Sequence, residues 1–321
     1  MKMHSKKAIF YTIAAIALTA VIFVTYSTYT SNRLSERMDS IETRIDTLNF
    51  FVKDVEEDLV NGVYIAGFRS LLSFGQYVST NGSYINNLDS SFKESFLNGT
   101  INGQQLSLMK DSTFTDWANR ISIESGKTGV DFGFVINDID LNHTDPWTIE
   151  IGIDVNLSIN DNKNTSSWKR SRRLTAKIDI TGFEDPLYII NSNGRVTNSI
   201  TKTNITSFVV SGNVANLIEH MNNSYYIAHN DSPSFLMRLE GNLGNSSMGI
   251  ESLVNLEEFQ QQGLALKDRS IVDYIYFGTK TTTNFRINAT PEWFKIDGTL
   301  PAPGPPKAEH LDAYQVRNIT I

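Results

Sequence analysis

The passage from Lys6 to Leu59 constrains this chain most: a lysine pair, an uninterrupted apolar run and a heptad repeat follow one another. Ala8 to Val24 contains no charge, Gly or Pro, and the uncharged stretch continues through Tyr26 and Tyr29 to Asn32. Roughly 20 such residues in a helix span a hydrocarbon core. Lys2, Lys6 and Lys7 precede the run with no acidic residue among them, which predicts a cytoplasmic amino terminus. A cleaved secretory signal has a shorter apolar core and a small-x-small site, whereas this core is long and is followed by Thr25, Tyr26 and Ser27. The expected order is a basic cytoplasmic tail over 1–7, then a retained single-pass transmembrane anchor over 8–30.

Residues 31–80 read as a stalk helix. Met38, Ile45, Val52 and Leu59 occupy a positions, and Leu34, Ile41, Leu48 and Val55 occupy d positions, so the whole seam is apolar. Arg37 and Glu42 have the spacing that pairs charges between parallel chains, as expected of a homo-oligomer joined through residues 34–59. The competing expectation is an amphipathic helix packed on its own ectodomain, and Phe50 and Phe51 widen the apolar face in that sense.

Lys6-Lys7-Ala8 followed by Ile9 to Val24 resembles the leader and apolar helix of archaeal type IV pilin-like proteins, with Ala8 before the cut. The resemblance implies a helix that forms the core of a filament. Two positions depart from pilin patterns: Ile13 stands where bacterial pilins carry Glu, and no Gln follows Ala8.

Composition narrows what the ectodomain can be. Setting the three amino-terminal lysines aside leaves 25 basic residues against 35 acidic ones, about −10, which argues against nucleic acid as a partner. Without cysteine there is neither a disulfide scaffold nor a thiolate metal site. Asn-x-Ser/Thr sequons at Asn81, Asn98, Asn142, Asn156, Asn164, Asn204, Asn222, Asn230, Asn245, Asn288 and Asn318 all follow the anchor, as a glycosylated surface protein requires.

An α+β ectodomain is expected, with packed helices and an antiparallel meander in 81–195 and a second α+β unit in 196–300. The spacing predicts helices over Ser90–Leu97 and Thr113–Ser125. Strands alternate from Val130 to Leu141, with a bulge near Asp138, from Trp147 to Ile159, and from Trp168 to Ile180. Leu187–Ile190 reads as a short strand. In the second unit Asn213–His229 reads as a helix, Phe235–Leu239 and Ile250–Phe259 as apolar segments, and Val272–Phe277 as a strand. Phe285–Ile287 and Trp293–Ile296 add short strands, and 301–321 is a Pro-rich linker and tail.

The blocks Gly182-Phe183-Glu184-Asp185-Pro186-Leu187-Tyr188, Ser232-Pro233-Ser234-Phe235-Leu236-Met237-Arg238-Leu239-Glu240-Gly241, Gly249-Ile250-Glu251-Ser252-Leu253-Val254 and Val272-Asp273-Tyr274-Ile275-Tyr276-Phe277 resemble those of uncharacterised archaeal membrane-anchored surface proteins. That resemblance implies a surface location and no particular activity.

Motifs that carry chemistry are scarce in this chain. There is no phosphate loop, His-Glu-x-x-His or nucleophile elbow. His220 and His229 fall on opposite sides of one expected helix, and His229-Asn230-Asp231-Ser232 reads as a helix end and turn. His310-Leu311-Asp312 reads as a surface tail. Asp138, Asp140 and Asp145 lack the calcium-loop spacing, and Glu240, Glu251, Glu257 and Glu258 are carboxylates of unknown separation. Trp168, Lys169, Arg170, Arg172 and Arg173 form the one concentrated basic patch, able to bind an anion or to guard a strand edge.

No catalytic, cofactor or metal residues are therefore expected. The chain reads as a non-enzymatic extracytoplasmic protein for binding a surface protein or glycan, or for cell-surface structure. A pilin-like filament subunit is the alternative, and an extracytoplasmic hydrolase stands third.

Overall fold

The computed structural model describes residues 4–162, 166–300 and 309–321. Asn164 and the Pro-rich segment 301–306 lie outside the described residues. The first helix, α1 (His4–Asn81), is continuous over 78 residues, so the segments expected as anchor and stalk form one element. It is long and apolar enough to cross a membrane, and its most apolar window is wholly exposed.

The fate of the heptad seam changes along α1. Leu34, Met38 and Ile41 are exposed, Ile45 is half-buried, and Leu48, Val52, Val55 and Leu59 are buried. The lower half packs on the protein's own sheet, and the buried stripe continues through Val63, Ala66, Leu71, Phe74 and Val78. Residues 48–59 are thus covered within the chain, and the seam left free for another copy is 34–41. The wider face that Phe50 and Phe51 suggest is only half used, since Phe50 is exposed and Phe51 packs against the core.

The sheet beneath is the antiparallel meander. After α2 (Leu88–Asn98), a small hairpin of β1 (Thr100–Ile101) and β2 (Gln104–Gln105), and α3 (Phe114–Lys127), the chain enters β3 (Val130–Asp145), β4 (Thr148–Asp161) and β5 (Ser167–Asp179). Thr113 opens α3 with a reciprocal capping box to Asp116. The expected bulge appears as a register shift between Ile136 and Asp138. In β4, Ile149, Ile151, Ile153, Val155, Leu157 and Ile159 are all buried, the outcome of strict alternation over one covered face. Gly67 lets α1 approach this surface: a Cβ there would lie 2.0 Å from Ile151 Cδ1 and 3.4 Å from Ile178 Cδ1. Phe74 meets Phe92 edge-on, and Phe92, Phe96, Phe114 and Trp117 stack in series between α1, α2 and α3.

The second unit is built from short elements: α4 (Pro186–Asn191), α5 (Ala215–Asn222), β6 (Tyr226–Ala228), α6 (Phe235–Leu239), β7 (Ile250–Ser252), α7 (Leu256–Gln261), α8 (Asp273–Phe277), β8 (Asn284–Arg286), β9 (Lys295–Asp297) and α9 (His310–Ala313). It corrects several expectations. Leu187–Ile190 is helical because the Asp185 carboxylate accepts from Leu187 N and Pro186 stands at the helix start. Val272–Phe277 is also mostly helix, and every residue of α8 is buried. A short run buried on all sides has no polar face, so periodicity cannot separate strand from helix. The helix expected over Asn213–His229 stops at Asn222, and Tyr226–Ala228 turns into a strand paired with Ile250–Ser252.

Two apolar cores result, one under α1 and one formed by residues 187–316. They interlock around the expected 195/196 boundary, because Ile200, Tyr226, Phe235, Leu239 and Ile250 belong to the first core. The end of the chain is more than a tail: Leu311, Tyr314 and Val316 are fully buried in the second core.

Candidate functional site

The four sequence blocks that carry the surface-protein resemblance converge in space. Each contributes a charged residue embedded in an apolar run: Asp185, Arg238, Glu251 and Asp273, all completely buried. Arg238 lies at the hub. Its Nη1 donates to Asp185 Oδ2 at 2.5 Å and Asp273 Oδ2 at 2.9 Å, and its Nη2 donates to the carbonyl of Ile250. Tyr226 Oη donates to Asp185 at 2.8 Å, while Ser252 N and Oγ donate to Asp273 at 3.0 and 2.8 Å. Burial pushes the Asp273 carboxyl up, Arg238 pulls it down, and the nearby Asp185 and Glu251 charges leave it raised overall. Such a network joins α4, α6, β7 and α8 through groups that would be costly to bury unpaired.

Beside it stands a second cluster. His229 follows β6, Glu251 is the middle residue of β7, and His310 opens α9; their donor atoms lie within 4.8 Å of one another. His229 Nδ1 and His310 Nε2 each lie 3.2 Å from Glu251 Oε2. Ser232 Oγ donates to the same oxygen at 2.7 Å. His310 Nδ1 contacts Asp297 Oδ2 at 2.9 Å, and Tyr274 Oη contacts His310 Nε2 at 3.0 Å. Asp297 is in turn held by Ser270 Oγ at 2.6 Å. Both ring nitrogens of His229 and Oε1 of Glu251 are buried without a well-formed hydrogen bond.

Electrostatics divides this cluster. Burial alone would lift the Glu251 carboxyl, but His310 and His229 outweigh it and hold the group well below the usual carboxylate range. Burial would lower His310, yet Glu251 and Asp297 raise it to about 10. One edge is open: His310, Tyr274 and Asp297 line a cleft of about 260 Å³ with Asp231, Lys280 and Glu309.

These positions differ from the sequence expectations. His310 is buried rather than part of a surface tail, and His229 meets His310 rather than sharing a helix with His220. His220 is buried separately among Phe208, Tyr225 and Tyr314. His229 to Ser232 forms the expected turn, with Ser232 N donating to the His229 carbonyl, but no helix precedes it, and Ser232 Oγ reaches Glu251. Glu240 leaves the carboxylate group to accept from Leu88 N, and Glu257 and Glu258 are exposed. Asp138 pairs with Lys93 and Asp140 with Arg173, while Asp145 accepts from Trp147 N at the hairpin.

The basic patch is largely neutralised within the chain. Arg170 and Arg172 reach Glu56 of α1, Arg173 bridges Asp140 and Asp154, and Trp168 packs against the first core. Lys169 remains exposed. The sequon asparagines at 81, 98, 142, 156, 204, 222, 230, 245, 288 and 318 are all exposed.

No family model, no curated protein and no solved structure matches this chain.

Proposed function

We propose that the chain is a single-pass membrane protein, amino terminus inside, that holds a rigid extracellular α+β ectodomain for binding or for cell-surface structure. One observation carries the reading: the helix that is apolar and exposed at its start is the same helix that enters the ectodomain core at Leu48. The charged, exposed stretch between Arg33 and Thr43 would set the ectodomain, first met at Arg44, roughly 15 Å above the bilayer, at about 1.5 Å per residue. The exposed sequons fit an extracellular, glycosylated face. Contact is favoured over turnover because Ser232, the hydroxyl adjoining the His–Glu cluster, is fully buried and spent on Glu251.

A pilin-like subunit is the second reading. It is favoured by the division of α1 into a protruding apolar half and a half packed on an antiparallel meander, leaving Leu34, Met38 and Ile41 for neighbouring copies. Intact mass and amino-terminal sequencing of the protein extracted from its native membrane separate the two. Retention of Lys2 to Ala8 supports the permanent anchor; a chain beginning at Ile9 establishes leader processing and moves the filament reading to the front.

A further inference from the structure

We propose that His229, Glu251 and His310 form a mononuclear site for a zinc-class divalent cation, which clips the end of the chain onto the second core. The three residues come from segments far apart in sequence, yet their donor atoms converge within 4.8 Å. Tetrahedral zinc with bonds of about 2.0–2.1 Å has ligand–ligand edges of roughly 3.3 Å. Both nitrogen-to-Glu251 distances are 3.2 Å, so these two edges already match those of a tetrahedral ion.

The surroundings also match a metal centre. A ligating imidazole commonly donates its other N–H to a carboxylate, which fixes tautomer and ring orientation. Asp297 stands in that position against His310 Nδ1, at 2.9 Å, leaving Nε2 facing Glu251 and the Tyr274 hydroxyl, which an ion would displace from Nε2. Ser232 bonds the Glu251 oxygen from behind. Neither ring nitrogen of His229 has a hydrogen bond despite burial, and coordination would satisfy the Nδ1 that faces Glu251. Two imidazoles and one carboxylate suit zinc better than calcium or magnesium, which take all-oxygen sets. The cleft lined by His310, Tyr274 and Asp297 reaches the cluster from the His310 side and offers an entry path there.

Coordination would tie the loop after β6, the strand β7 and the terminal helix α9 together. The metal would thus anchor the segment bearing Leu311, Tyr314 and Val316 in the second core.

The test uses the full chain in detergent, stripped with a chelator and titrated with Co²⁺, then with Zn²⁺. The expected result is four-coordinate Co²⁺ visible absorption that saturates at one ion per chain and is displaced by Zn²⁺. His229→Gln and His310→Gln should abolish that spectrum. Asp297→Asn, which keeps the ligands, should weaken affinity about 10–100-fold. Intrinsic tryptophan emission of each variant reports whether the fold survives, and the wild-type spectrum stands without any variant. Absence of stoichiometric Co²⁺ or Zn²⁺ binding by the wild type would overturn the proposal and leave a plain imidazolium–carboxylate cluster. Retention of wild-type affinity by folded His229→Gln and His310→Gln would equally overturn it.

Discussion

Replacing two glycines of α1 tests how the helix is seated. Gly67 and Gly75 both lie in the half of α1 that carries the core stripe, two turns apart. Alanine is favoured over glycine in a helix interior by about 1 kcal/mol, and that gain applies at both positions. At Gly75 a new Cβ meets nothing within 4 Å, so Gly75→Ala should stabilise the ectodomain by about 0.5–1 kcal/mol. At Gly67 the same atom would fall 2.0 Å from Ile151 Cδ1. Ile151 is fully buried, with Ile178 also close to the new atom, so its rotation is resisted by packing. Overpacking of this kind costs about 1–3 kcal/mol. After the propensity gain, Gly67→Ala should be neutral to about 2 kcal/mol destabilising, and about 1–3 kcal/mol less stable than Gly75→Ala. Urea unfolding of the detergent-solubilised chain, followed by the emission of Trp117, Trp147 and Trp168 around the first core, measures the difference. Equal stabilisation by both substitutions would refute the close seating of α1 on β4.

Other changes probe the remaining packing. Leu59→Ala should cost about 2–5 kcal/mol in the same unfolding assay, because Leu59 is fully buried; Met38→Ala, at an exposed position, should change stability by less than about 0.5 kcal/mol. Arg238→Ala should destabilise by about 3–5 kcal/mol, since it strands Asp185 and Asp273 in the interior; unfolding at wild-type denaturant midpoint would contradict the hub. Burial lowers His220 to about 4, below an unfolded value of about 6.5, so the unfolded chain binds the extra proton. Stability should therefore be unaffected by this group above about pH 6.5 and fall by about 3 kcal/mol as pH drops to 4. His220 faces Phe208, Tyr225 and Tyr314, with Thr203 at 3.3 Å and only the Glu251 charge opposing the shift. His220→Phe should show a correspondingly shallower acid loss when unfolding is compared at pH 7 and pH 4.5.

What could be read from the sequence followed from how each segment is buried. The long strands declared themselves because one face is covered and the other wet: Ile149 to Ile159 alternates with Glu150, Asp154, Asn156 and Ser158. The heptad seam was visible for the same reason, but an apolar stripe does not say whether a sheet or another helix covers it, and for Leu48 to Leu59 it is the sheet. The second unit was harder because α4 and α8 are buried on nearly every side and leave no period to read. The site was hardest, since His229, Glu251 and His310 meet only through tertiary contacts. One signal was present: Asp185, Arg238, Glu251 and Asp273 each interrupt an apolar run, and a charge in such a place needs a partner.

The most direct test of the membrane reading exploits the absence of cysteine, which gives thiol labelling no background. Single variants Ser5→Cys, in the amino-terminal segment, and Gln104→Cys, at an exposed position in β2, would be treated in intact cells with a membrane-impermeant maleimide. The account predicts labelling of Gln104→Cys in intact cells and of Ser5→Cys only after lysis. Labelling of Ser5→Cys but not Gln104→Cys, or of neither until lysis, would contradict an anchored chain with its ectodomain outside.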